Sequence, residues 1–83
     1  MDMQQQIAAQ VKQMIVERLE VPAIKITSTA KLRDDLGIDS FGLVEVAFEI
    51  KDKFDVQLTD EDFKSLIVFD DAVSCIMRKL KEK

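Results

Sequence analysis

Ser40 stands in the run Asp34-Asp35-Leu36-Gly37-Ile38-Asp39-Ser40-Phe41, where a nucleophilic side chain, several carboxylates and a helix start fall together. A serine hydroxyl attacks only when a base takes its proton, and the sequence has no histidine for that part. The same absence rules out a histidine-based zinc site, and one cysteine cannot build a thiolate metal centre. Two glycines leave no phosphate-cradling loop. The spacing from Asp34 to Asp39 fails the calcium-loop template of alternating oxygen ligands with its glycine and terminal glutamate. Carboxylates are numerous enough for glycoside hydrolysis, but 83 residues of mostly helix offer little room for a deep cleft. An enzyme acting alone is therefore the weakest reading, with no catalytic and no metal residues assigned. Ser40 reads instead as an attachment point, activated by another protein.

The elements that must position this serine follow from apolar spacing. Ile7, Val11, Met14, Ile15 and Leu19 repeat with the period of an amphipathic helix. That helix should run from an N-cap at about Asp2 to Leu19 or Glu20, because Pro22 disfavours helical geometry at Val21. Residues 21–38 show no helical period but carry Val21, Ile24, Ile26, Leu32, Leu36 and Ile38, which predicts an ordered strap packed across the core. Thr27-Ser28-Thr29 is placed to cap a short helical turn within it. A second helix should start at Asp39 or Ser40, with Asp39 as N-cap, and end near Phe54. One stripe of it is Leu43, Ala47, Ile50 and Phe54; Phe41, Val44 and Phe48 form another. Burying a large side chain is worth roughly 1.5–3 kcal/mol, so one stripe must face the core. The other is either wrapped by a small bundle or is an apolar contact strip beside Ser40, ringed by Glu45, Glu49 and Asp52. Gly42 costs roughly 1 kcal/mol relative to alanine in a helix. It is either tolerated near a frayed end or leaves room for something bulky beside Ser40.

Asp55-Val56-Gln57-Leu58 reads as extended or looped. Thr59 then caps a short third helix through Asp60, Glu61 and Asp62, with Phe63, Leu66 and Ile67 following. Asp70 or Asp71 caps a fourth, bearing Ala72, Val73, Ile76, Met77 and Leu80 and ending in Arg78, Lys79, Lys81 and Lys83. Cys75 lies near the edge of that apolar face as a small, partly buried packing residue. The expected fold is all-α: a small four-helix bundle with a long ordered loop between helices 1 and 2 and a short helix 3, forming one domain over residues 1–83.

Charge is distributed unevenly. Residues 34–62 hold ten acids and two bases, while the flanking segments each hold three acids and five bases. The acidic middle repels nucleic-acid phosphates and attracts basic protein surfaces through contacts that salt weakens. No apolar run approaches the roughly 18 residues of a membrane span. The start Met1-Asp2-Met3-Gln4-Gln5-Gln6 lacks the basic residues of a secretory signal, and a lone cysteine agrees with a reducing compartment. A cytoplasmic protein is expected, with no membrane insertion and no nucleic-acid partner.

Taken together, Asp35-Leu36-Gly37-Ile38-Asp39-Ser40, an apolar residue next, Val44-Glu45, then Phe54-Asp55, the acidic turn Asp60-Glu61-Asp62 and a final Asp71-Ala72-Val73 resemble the acyl carrier proteins, in register from about residue 32 to 80. The resemblance implies 4′-phosphopantetheine carried on Ser40, with Asp39 and Asp35 positioning the serine or engaging the phosphopantetheinyl transferase (holo-carrier synthase). It also implies a partner face of Phe41, Val44, Glu45, Phe48, Glu49 and Asp52, offered to acyl-transferring and condensing enzymes with basic docking surfaces. The chain would serve fatty-acid or specialised acyl-chain biosynthesis as a monomeric phosphoprotein of lipid metabolism. Members of that family fold an acyl chain into the bundle interior, and Ala47 leaves space beside helix 2 for it. Phe41 stands where leucine is usual, Gly42 where an acid is frequent, and Lys51-Asp52-Lys53 where acids cluster, which points to a specialised member. An apolar residue plus glycine after the serine also resembles the D-alanyl carriers, so an aminoacyl load is the alternative. An unmodified acidic helical adaptor is the alternative of a different class.

Overall fold

The computed structural model describes residues 2–82; Met1, and Lys83 with its place in the basic end of the last helix, lie outside the described residues. Four helices follow in chain order: α1 (Met3–Leu19), α2 (Ser40–Phe54), α3 (Asp60–Ser65) and α4 (Phe69–Glu82). The expected all-α bundle with a long first loop and a short third helix is what the chain forms. Helix α1 is its spine, packing on one side against α4 and on the other against α2.

Each helix starts where side-chain chemistry satisfies the amides that have no acceptor in a first turn. Asp2 Oδ1 accepts from the Gln5 amide at 2.8 Å, and Thr59 and Asp62 form a reciprocal capping box at the start of α3. Helices α1 and α2 both end on a left-handed residue, Glu20 and Asp55, each with φ of 56°. Glycine usually fills such positions because it has no Cβ to clash. Helix α4 begins at Phe69, so Asp70 and Asp71 lie inside its first turn and neither is the cap. Asp71 instead reaches back, its Oδ2 accepting from the amides of Ile67 and Val68 at 3.0 and 2.9 Å.

The segment 21–38 is an ordered strap. Val21, Ile26, Leu32, Leu36 and Ile38 are buried, but Ile24 is 89% exposed. Its place in the short 3-10 turn Ala23–Lys25 turns it outward. The 3-10 turn thus falls before Thr27-Ser28-Thr29, where only a turn closed by the Ala30 amide on the Thr27 carbonyl is found. The strap is stitched to the start of α4: Lys31 and Val68 form an antiparallel bridge, the Leu32 amide donates to the Ile67 carbonyl at 2.9 Å, and the Phe69 amide donates to the Ala30 carbonyl at 2.8 Å. Ile67 is exposed in this junction; Leu66 beside it is buried.

The core face of α2 is Gly42, Leu43, Val46 and Ile50. Val46 takes the place expected of Ala47 and Phe54, which are half-buried. The interior is nearly full: an apolar void of about 10 Å³, lined by side chains of α1, α2, α4 and the segments between the helices, is at the lower limit of the space one water needs and offers it no polar side-chain partner. Cys75 is more deeply buried than its position at the edge of the α4 stripe suggests, and burial pushes its thiol pKa upward.

Candidate functional site

Helix α2 starts at Ser40 because Asp39, extended at φ −88° and ψ −178°, turns its carboxylate onto the first turn. Asp39 Oδ1 accepts from the Gly42 amide at 2.8 Å. The amides of Ser40 and Phe41 precede the point at which the helix supplies its own acceptors. They therefore face outward at the positive end of the helix dipole, beside an exposed hydroxyl.

The approach to Ser40 is made by the turn over residues 31–36 and by Gly37, whose φ of 70° is one that side-chain-bearing residues rarely adopt. Asp35 sits in this turn, its Oδ2 accepting from the Lys31 amide at 2.8 Å. It shapes the approach to the helix and makes no hydrogen bond to the serine. The side chain that does is Arg33, whose Nη2 donates to Ser40 Oγ at 3.1 Å. Arg33 had no place among the expected site residues, since seven positions and a turn separate the pair. Arg33 and the two outward amides form a donor set suited to a phosphate ester on Ser40.

The surface below Ser40 is apolar. Phe41 is 72% exposed, Val44 43% and Phe48 66%. Among the described residues no neighbouring helix covers them, so the stripe lies open to solvent. Glu45 and Asp52, each four residues after an exposed phenylalanine, share its face, with Glu45 half-buried and Asp52 exposed. Glu49 does not: it turns toward α1 and pairs with Arg18. Lys51 joins Val44, Ala47, Phe48, Gln57, Leu58 and Phe63 around a surface groove of about 210 Å³ between α2 and α3. Ala47 and Leu58 also line the small interior void, so they separate the groove from the core.

Gly42 is buried and faces inward, away from Ser40's open side. A Cβ built there would lie 3.0 Å from Ile38 Cγ2 and 3.4 Å from both Asp39 Oδ1 and Leu19 Cδ1. The bulk it admits is this chain's own, the strap and the end of α1. Gly42→Val should therefore cost about 1–3 kcal/mol through overpacking, read as a lower urea midpoint. An unchanged midpoint would show that the contact is slack.

Among the described residues no group of three or more histidine, cysteine, aspartate or glutamate side chains is placed to hold a metal. Nor, among them, is any helix long and apolar enough to cross a membrane.

A family model described as a phosphopantetheine attachment site matches residues 9–71. An acyl carrier protein from Solidesulfovibrio magneticus is 38% identical over 76 residues, spanning 92% of this chain and 97% of that relative.

Proposed function

The chain belongs to the acyl carrier protein family, a non-catalytic carrier that uses phosphopantetheine, and from that premise we propose that Ser40 bears the arm and that α2 addresses it to partner enzymes. The observation that carries the assignment is the placement of Ser40: exposed, first in α2, with outward amides and a guanidinium beside it. When bound, the arm supplies a terminal thiol that holds acyl groups as thioesters. This chain's residues present and steer it. Asp39 fixes the helix start through the Gly42 amide, and Asp35 fixes the preceding turn through the Lys31 amide. Both leave negative charge near Ser40 for a basic phosphopantetheinyl transferase to read.

In this reading Phe41, Val44, Glu45, Phe48 and Asp52 form the docking face for acyl-transferring and condensing enzymes with basic surfaces, while Glu49, paired with Arg18, lies off it. The pathway is fatty-acid or a specialised acyl-chain biosynthesis. Exposed phenylalanines and Lys51 on the face favour the specialised case. Gly42 has a packing reason, so it does not speak for an aminoacyl load. The groove of Val44, Phe48 and Phe63 supports acyl binding at the α2–α3 side, and a longer chain would need Ala47 and Leu58 to part, given the small void behind them. Residues 1–83 are read as one carrier domain, working as a monomer in the cytoplasm.

Intact mass of the protein recovered from its own cell tests the proposal. The expected result is one phosphopantetheine plus an acyl mass; an unmodified chain would overturn it. Glu45→Lys should lower kcat/KM for a partner enzyme by about tenfold at low salt, with the deficit shrinking as salt rises. Equal turnover at low salt would remove Glu45 from the docking face.

A further inference from the structure

Among the described residues, Arg33 is a cation with no anion within 4 Å. Within that distance the ion pairs among them are Arg18 with Glu49 and Asp62 with Arg78 and Lys79. Arg33, with Asp34 and Asp35 next in sequence, joins none of them. Its hydrogen bond goes to the neutral hydroxyl of Ser40. The fold has no evident need for that bond. The turn that carries Arg33 is closed by main-chain hydrogen bonds from the amides of Asp35 and Leu36 to the Lys31 carbonyl, from Gly37 to the Arg33 carbonyl and from Ile38 to the Leu32 carbonyl. The Asp35 carboxylate completes it. The Arg33 side chain is exposed, at a surface groove it shares with Phe63, Leu66 and Ile67.

A phosphodiester on Ser40 would place a fixed negative charge beside Asp34, Asp35 and Asp39, a like-charge neighbourhood that disfavours it. A guanidinium already donating to the ester oxygen's position is near the phosphate oxygens two bonds further out. Its planar fork matches them better than an ammonium does. We propose that Arg33 holds the phosphodiester of the arm and so sets the direction in which the arm leaves α2. This rests on the reading of Ser40 as the attachment residue. Arg33 is thus a positioning residue, and the charge it lacks a partner for is matched only after modification.

The test uses wild type, Arg33→Gln and Arg33→Lys, each treated with a phosphopantetheinyl transferase and coenzyme A and checked by intact mass. No mass gain in the wild type overturns the attachment reading, and this inference with it. With the gain present, two signals decide on Arg33 alone. The ³¹P resonance of the folded wild type should differ from that of the same protein unfolded in urea. It should move toward the unfolded value in Arg33→Gln and be partly restored in Arg33→Lys. The Arg33 Nε–H signal of the wild type should shift, and its exchange with water should slow, between unmodified and modified protein. A ³¹P resonance indifferent to Arg33→Gln, or an Arg33 Nε–H signal identical in the two forms, overturns the inference while leaving Ser40 in place. Should Arg33→Gln fail to fold, the wild-type comparison decides.

Discussion

Ser40→Ala is expected to keep its unmodified mass when incubated with a phosphopantetheinyl transferase and coenzyme A, under conditions in which the wild type gains one phosphopantetheine. The effect is complete, not graded, because the hydroxyl is the bond-forming atom. Three other serines, Ser28, Ser65 and Ser74, are also exposed, so exposure alone does not single out Ser40. Position does. Ser65 ends α3, where its hydroxyl donates to the Asp62 carbonyl at 2.8 Å. Ser74 lies within α4, and Ser28 lies in a turn whose carbonyl accepts from the Asp70 amide. Only Ser40 opens a helix. The substitution should leave the fold intact, with a stability change within roughly 0.5 kcal/mol, as for a surface site outside the core. A mass gain in Ser40→Ala would move the arm to another residue and dissolve the site described here.

The second large effect concerns stability. Asp62→Asn should destabilise the fold by about 2–4 kcal/mol at neutral pH, measured by urea unfolding, because it removes the charge that several donors converge on. Asp62 Oδ2 accepts from the Thr59 amide at 2.8 Å and pairs with Lys79 Nζ at 2.8 Å, while Oδ1 pairs with Arg78 Nη2 at 2.9 Å. Burial would by itself raise the Asp62 pKa. The hydrogen bonds from Lys79 and from the Thr59 amide and hydroxyl outweigh it, and the carboxyl is held well below the usual range. A depressed carboxylate contributes stability that is fully present above its unfolded pKa and is lost as pH falls through its folded one. The gap between wild type and Asp62→Asn should therefore be constant near neutrality and narrow as pH drops below about 4. A gap equally wide in strong acid would mean that the loss comes from shape and not from charge. Because α3 carries Phe63 into the groove beside Val44 and Phe48, loosening this anchor should also widen the groove.

The starts of α1, α2 and α3 and the position of Ser40 were legible in the sequence because they are set by local chemistry, whereas α4 starts at Phe69, ahead of the acids expected to cap it. Asp2, Asp39 and Thr59 cap the turns that follow them within three residues, and a reader of the sequence sees both partners at once. What was not legible depends on which elements meet. Ile24 reads as one more aliphatic in the strap, and only the 3-10 turn ahead of Ile26 reverses its direction. Val46 and Ala47 are adjacent, and the choice between them depends on a rotation of α2 that its neighbours set. Gly42 reads as a space for a ligand until Leu19 and Ile38 occupy it, and Glu49 as part of a surface ring until Arg18, 31 residues earlier, claims it. The acid at Asp62 counts as one of three favouring a helix start. Its pairing with Lys79 is a tertiary fact that spacing does not encode.

The stitches between the strap and the start of α4 also bear on how the chain reaches this structure. Helices α1, α2 and α4 are made of local contacts and can form quickly, but the Leu32–Ile67 bond joins residues with all of α2 and α3 between them. Closing so long a loop spends chain entropy before much apolar contact is gained, which places this clasp late in the folding sequence. Once shut, it grips both ends of the segment that bears Ser40, the apolar strip and the groove. Mutations in the clasp, far from the serine, should act first on how fast that segment comes apart, with little effect on how fast it assembles.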